Sequence, residues 1–211
     1  MKKVLITGVA GMIGSHLLDA LLKDNRYKVI GIDSLYFGQI ENIRHNFNNS
    51  NFKFHNVNVT DFEALKNLGK DIDIIVHLAA VKKIGEADPG TPTLKVNYKG
   101  TENILEIAKK FGSKVIFAST SDVYGMSPDL PFREDGNLLL GPSMIKRWSY
   151  AVSKLNGEQL TFAYYKDHGI PMVILRYFGG FSPRSSFMWS GGHIPIFINK
   201  ILNDEEVTIH G

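Results

Sequence analysis

Thr7-Gly8-Val9-Ala10-Gly11-Met12-Ile13-Gly14 is the stretch whose reading decides the fold. It follows directly on the apolar run Val4–Thr7 and opens Met12–Lys23, where apolar residues recur at helical spacing. Strand, glycine turn and helix in that order place a helix N-terminus, with its unpaired N–H groups and positive dipole end, against whatever the turn cradles. Gly8 suits the tight turn, Gly11 a close approach of backbone to a phosphate, and Gly14 the packing of helix on strand. Asp33 ends the next strand-like run, Lys28–Asp33, nineteen residues after Gly14. A carboxylate there accepts ribose hydroxyls and repels a 2′-phosphate, so the expected ligand is NAD rather than NADP.

Outward from this turn, short apolar runs alternate with helical patterns. Phe52–Val57, Ile72–Leu78, Lys114–Ser119 and Met172–Tyr177 read as further strands, and Phe62–Leu68, Thr93–Phe111 and Ser149–His168 as helices. Such alternation implies right-handed crossovers and a doubly wound parallel sheet, a Rossmann-like α/β fold with helices on both faces. Ile74-Ile75-Val76 and Val115-Ile116-Phe117 have no polar alternate, as strands buried on two sides require. Gly112 and Gly169 close helices, and 125–147, rich in Pro, Gly, Asp and Ser, reads as a long functional loop. After Phe181 the rhythm ends. Ser190-Gly191-Gly192 leads to a helical stretch near Ile194–Leu202 and a strand-like piece, Glu206–His210. The division expected is a cofactor-binding domain over 1–178 and the start of a small C-terminal lobe over 179–211.

The 211 residues suffice for one sizeable core. Twenty-four basic and 21 acidic residues are scattered to a net charge of +3, without a basic block that would point to nucleic acid or a membrane surface. The absence of cysteine excludes disulfides, thiol nucleophiles and cysteine-ligated metals. No apolar run reaches the roughly 18–20 residues of a membrane span, and Met1-Lys2-Lys3 lacks the apolar region of a secretory signal. The expectation is a cytoplasmic protein. His193 and His210 have no partners at metal-ligand spacing, so no metal site is expected.

Tyr150-Ala151-Val152-Ser153-Lys154 carries the chemistry. Tyr150 and Lys154 share a helix face at i and i+4. An ammonium beside a phenol favours the phenolate and brings it toward working range as an acid/base. Thr120, ending a strand, can bind the same substrate oxygen. His77 sits in a buried strand and is expected to be a hydrogen-bonded structural residue.

Together these motifs resemble the extended short-chain dehydrogenase/reductase family. The glycine spacing is that family's, and His77-Leu78-Ala79-Ala80, Asn97 with Gly100-Thr101, Ser119-Thr120-Ser121 and Tyr150-x-x-x-Lys154 follow in its order. The resemblance implies catalysis by Thr120, Tyr150 and Lys154. It implies that NAD is held by Gly8, Gly11, Met12, Ile13, Gly14, Asp33, Asn58, Val59, Leu78, Ala79, Ala80, Lys82, Asn97, Tyr150, Lys154 and Tyr177. Asn58 stands where the family has Asp and would meet adenine through its carbonyl, and Lys82 would neutralise cofactor phosphate. Thr120, Ser121, Asp122, Phe178, Gly179 and Arg184 would meet substrate, although Gly179 replaces the family's diphosphate-binding Asn. A homodimer through 93–111 and 149–168 is also implied.

Members similar to this pattern oxidise a nucleotide sugar, commonly UDP-linked, transiently at C4. Val81-Lys82-Lys83-Ile84-Gly85-Glu86 and Leu175-Arg176-Tyr177-Phe178 look like UDP-hexose 4-epimerases, which returns a 4-epimerase as the leading expectation. Gly141-Pro142, Arg147-Trp148-x-Tyr150 and Thr120-Ser121-Asp122 resemble UDP-glucuronate decarboxylases instead. A 4,6-dehydratase would need Asp-Glu where Ser121-Asp122 stands. A plain dehydrogenase and a non-enzymatic NAD-binding module are the alternatives of other classes; the intact Thr120, Tyr150 and Lys154 count against the module. Members of the family run well beyond Gly211, so the substrate lobe is expected to be truncated.

Overall fold

The computed structural model describes residues 1–82, 90–186 and 193–209. Six parallel strands, β1 (Lys2–Thr7), β2 (Tyr27–Asp33), β3 (Phe52–Asn56), β4 (Ile74–His77), β5 (Lys114–Thr120) and β6 (Met172–Tyr177), form one sheet in the order β3-β2-β1-β4-β5-β6. The order reverses between β1 and β4, the switch point where open α/β sheets leave a crevice at their carboxyl ends.

Period-two alternation assigns each residue to a face. Leu5, Ile75, Val115 and Phe117 pack on one side with Leu65 of α2 (Phe62–Leu68) and Ile104, Leu105 and Ile107 of α3 (Gly90–Phe111). Val4, Ile6, Val29 and Val76 face the other side, against Leu18 of α1 (Met12–Leu22) and Ile43. α4 (Trp148–His168) packs along α3 on the first face, and α5 is His193–Leu202. No helix among the described residues is long and apolar enough to cross a membrane.

The strands and helices expected from sequence are present with shifted ends. α3 begins at Gly90 rather than Thr93, because Pro92 is tolerated in a first turn, where amide hydrogens have no intrahelical acceptor. Ser121–Tyr124, Ile40–Asn42 and Arg44–Asn46 form 3₁₀ turns that sequence periodicity leaves unseen. The strand-like piece at 206–210 is corrected: residues 206–209 pair with no described strand, and Glu206 instead accepts a bond from Lys200 at 2.9 Å. Lys83–Glu86, Ser190–Gly192 and His210 lie outside the described residues.

Candidate active site

The glycine turn is built by close approach. Gly8 has φ +71°, and a Cβ there would lie 2.9 Å from the Ala79 backbone nitrogen. A Cβ at Gly14 would lie 2.2 Å from the Gly8 carbonyl oxygen, so α1 can descend onto the turn only with glycine at this position. Gly11 caps α1 with no side-chain bond, and the first turn contains no carboxylate. Its leading amides therefore face the crevice without a side-chain acceptor, the arrangement an anionic diphosphate satisfies. The turn and its neighbours form an open cleft lined by Gly8, Gly11, Asp33, Asn58, Val59, Leu78, Ala79 and Ala80, all expected from sequence. Ser34, Tyr36, Phe37 and Gly38 also line it, and sequence reasoning missed them. The missed signal was Gly38, where a Cβ would lie 2.7 Å from the Asp33 carboxylate.

Asp33 is buried and accepts from the backbone N–H groups of Ala10 (3.0 Å) and Leu35 (2.8 Å). Burial pushes its carboxyl above the ordinary value, while those two bonds pull it back. Each oxygen keeps a lone pair for a further donor. Behind it, Thr7 donates to His77 Nδ1 (2.8 Å), and His77 Nε2 meets Thr101 Oγ1 (3.2 Å), whose own hydrogen goes to the Asn97 carbonyl (2.7 Å). The histidine therefore carries its proton on Nε2. Thr7 Oγ1 also accepts the amides of Leu78 and Ala79, fixing that segment against Gly8. His77 is structural, and burial, with a smaller push from the Lys154 charge, lowers its pKa to about 3.

α4 delivers Tyr150 and Lys154 to the end of β5. Lys154 is buried and donates to the Ala118 carbonyl at 2.7 Å, with its pKa lowered by burial to about 8. Its nitrogen lies 6.0 Å from the Tyr150 ring centre, and Lys82 Nζ lies 5.2 Å from it. Thr120 ends β5, accepts from Asp122 N (3.2 Å) and keeps its hydroxyl hydrogen to donate. Tyr177 pairs with Thr120 in register across β5 and β6. Burial, reinforced by the Asp122 carboxylate, raises the phenol of Tyr150 well above its usual range. The phenolate expected from the Tyr–Lys spacing is thus not what this arrangement favours, because the ammonium lies 6.0 Å from the ring centre while burial and Asp122 act against ionisation.

A second open cleft is lined by Ser121, Asp122, Gly125, Phe132, Arg147, Trp148, Ala151 and Phe178, and shares Asp122 with the surroundings of Tyr150. Its wall is aromatic: Tyr124 and Phe132 stack at 4.5 Å, with Phe178 6.1 Å from Tyr124. Arg176 lies 4.8 Å over the Tyr124 ring and forms a two-bond ion pair with buried Glu158 (2.9 and 2.7 Å), which also accepts from Ser119 (2.5 Å). This network ties β5, β6 and α4 beneath the wall. Its signal in the sequence was Glu158, one more helical turn beyond Lys154 on the same face.

Three side chains, Asn97, Lys82 and Arg184, point elsewhere than their expected partners, and Asn58, which lines the cleft, offers its amide hydrogens there rather than its carbonyl. The Asn97 amide is consumed by Val81 N (2.7 Å), Val81 O (3.0 Å) and Ser153 Oγ (2.9 Å), so it braces α4 behind Tyr150 instead of reaching the cleft. The Asn58 carbonyl oxygen already accepts twice from Thr60 at 3.0 Å, which leaves its amide hydrogens for the cleft. Lys82 faces Asp122 at 3.6 Å and the Tyr150 ring, away from the glycine turn. Arg184 binds Asp19 on the flank of α1 at 2.7 Å rather than joining Thr120 and Tyr150. Its Nη1 is buried without a partner among the described residues. Although burial opposes it, bonds from Asn46, Arg184 and His45 hold the Asp19 carboxyl below its ordinary value. Gly179 has open space where a side chain would begin.

Sheet order, glycine turn and the Tyr150–Lys154 helix define a Rossmann-like protein of the extended short-chain dehydrogenase/reductase type. The chain belongs to the NAD dependent epimerase/dehydratase family, matched over residues 4–211. It is 36% identical over 211 residues, all of this chain and 64% of the relative, to a UDP-N-acetyl-alpha-D-glucosaminuronate decarboxylase of Bacillus cytotoxicus. Among solved structures, it is similar to UDP-N-acetylglucosamine 4-epimerase of Methanobrevibacter ruminantium in complex with UDP-N-acetylmuramic acid (TM-score 0.89, 34% identity, 100% of this chain and 66% of that one). It is also similar to UDP-glucuronic acid 4-epimerase of Bacillus cereus with UDP-glucuronic acid and NAD (TM-score 0.86, 36% identity, 99% and 66%). The chain thus spans about two thirds of the length of these relatives.

Proposed function

We propose that this chain is the cofactor-holding and proton-transferring part of a nucleotide-sugar 4-epimerase acting on a UDP-linked hexose or hexuronic acid through a 4-keto sugar. In this reading residues 1–178 bind NAD and 179–211 begin the substrate lobe. The observation that carries it is the delivery of Tyr150 and Lys154 by α4 to β5, with Lys154 bonded to the Ala118 carbonyl. The similarity to UDP-sugar 4-epimerase structures supports the same reaction.

Bound NAD supplies a hydride acceptor that gives the hydride back. Gly8, Gly11 and Gly14 give the diphosphate its bed, and the spare lone pairs of Asp33 accept a ribose hydroxyl. Thr120 donates its hydroxyl hydrogen to the sugar oxygen, and Tyr150 exchanges the proton there. To accept the sugar's hydroxyl proton as the C4–H bond breaks, Tyr150 must first give up its own proton; burial and Asp122 make that phenolate costly in the free chain and a strong base once formed. The phenol formed in that step then returns the same proton to the keto oxygen as hydride is added back to the opposite face of C4. Ser121-Asp122, in place of an Asp-Glu pair, argues against water elimination.

Decarboxylation of a uronic acid is the second reading, favoured by Arg147 in the cleft with Asp122 and by the decarboxylase relative. Incubation with UDP-glucuronate and with UDP-glucose, read by sugar NMR, separates the two. Inversion at C4 supports the epimerase; release of carbon dioxide with a pentose product refutes it.

A further inference from the structure

From Tyr177 the chain leaves β6, three places from β1 in the sheet, and reaches the flank of α1 by Ser185. Three strand spacings take about 14 Å, and residues 177–185 can extend at most roughly 28 Å. The segment therefore spans from the carboxyl end of β6 to α1, past β5, β4 and β1 in the sheet order. Three contacts hold its far end along one side of α1. Ser185 Oγ meets Met12 Sδ (2.7 Å), the Pro183 carbonyl meets His16 Nε2 (3.0 Å), and Arg184 Nη2 meets Asp19 Oδ2 (2.7 Å).

The ion pair is more built than a surface contact. Asp19 is held in place by His45 (2.8 Å) and Asn46 (2.6 Å), from the 3₁₀ turn beside α1. Ser185 N bonds the Ser182 carbonyl (3.2 Å), with Pro183 at the second position of the turn and Arg184, at φ +70°, at the third. Glycine or asparagine is the ordinary residue at that third position. An arginine held there, against its backbone preference, marks a side chain whose partner fixes the conformation.

We propose that the Asp19–Arg184 pair is a positioning latch, which fastens segment 178–186 to the flank of α1, the helix that the glycine turn opens, and slows the escape of the bound dinucleotide. The inference rests on NAD occupying that cleft. A cofactor retained between hydride removal and hydride return is what a 4-keto route requires, since its loss would strand the oxidised sugar. The latch has one half on α1 and the other in the turn seven residues beyond Tyr177, the last residue of β6. Asp19 and Arg184 touch neither cleft lining, so their effect is on release.

NADH fluorescence in stopped flow, with excess NAD as displacer, measures release from wild-type protein, Asp19→Asn, Arg184→Gly and the double variant. Arg184→Gly suits the positive φ, and Asp19→Asn keeps the side-chain shape, so both variants should fold; thermal melting checks this. Each single variant is expected to release NADH at least tenfold faster, and the double no faster than the faster single. Melting temperatures that fall while release stays within twofold of wild type overturn the latch, as do independent, multiplying effects in the double variant. A wild-type protein that binds no NADH overturns the cofactor reading itself, and the latch with it.

Discussion

Lys154→Met should make this protein more stable at neutral pH while removing its chemistry. The ammonium is buried, with one bond to the Ala118 carbonyl, and its pKa falls from 10.5 to about 8 through burial. At about 1.4 kcal/mol per tenfold, that drop represents about 3 kcal/mol by which the folded state resists the charge at pH 7. Methionine has a similar length and fills the same space without charge. The lost hydrogen bond returns about 1 kcal/mol, leaving a net gain of about 2 kcal/mol. The sign follows from proton binding. Between pH 8 and 10.5 the unfolded chain holds a proton on this lysine that the folded chain has shed, so wild-type stability climbs through that window. The methionine variant has no such climb. Urea unfolding of both proteins at pH 7, 8, 9 and 10 should show a gap of about 2 kcal/mol that closes by pH 10. A variant less stable than wild type at pH 7, or a gap that does not change with pH, would refute the burial cost assigned to Lys154.

His77 produces a slope of the same sign in a lower window. Its folded pKa of about 3 lies below the ordinary 6.5, so its stabilising contribution is complete above pH 6.5 and declines as pH falls toward 3. Lowering the pH to 5 should cost about 2 kcal/mol by urea titration, and His77→Gln should flatten that part of the profile. Gly14→Ala puts a Cβ 2.2 Å from the Gly8 carbonyl; calorimetric titration should show NAD affinity falling by at least about tenfold, for a displacement costing over ~1.4 kcal/mol. Glu158→Ala leaves Arg176 and Ser119 without their buried acceptor, and chemical denaturation should show a loss of about 3–5 kcal/mol. Replacing both ends, as Glu158→Leu with Arg176→Met, should recover most of that loss.

The sequence made the scaffold legible because its signals are short-range. A glycine turn, alternation on strands and helical spacing on α3 and α4 all act within a few residues, and the sheet order follows once crossovers are right-handed. The two clefts were legible for the same reason, since Asp33, Ala79 and Ser121 sit at strand ends, which face the crevice in any fold of this kind. What a polar side chain does there was not legible. Asn97, Lys82 and Arg184 were each assigned a ligand, yet the structure spends them on Val81 and Ser153, on Asp122 and on Asp19; Asn58 does line the cleft, but its carbonyl is taken by Thr60.

The sequence by itself determined that a strand–turn–helix with three glycines begins this protein, and that a phenol and an ammonium share one helical face. Only the tertiary structure decided how those groups are charged and which donors remain free. Burial is a property of the assembled core, and it outweighs the Tyr150–Lys154 spacing by raising the phenol and lowering the ammonium. A hydrogen bond likewise goes to whichever acceptor the fold brings within about 3 Å. For Arg184 that acceptor comes from the far end of the sequence, where no local pattern could have announced it.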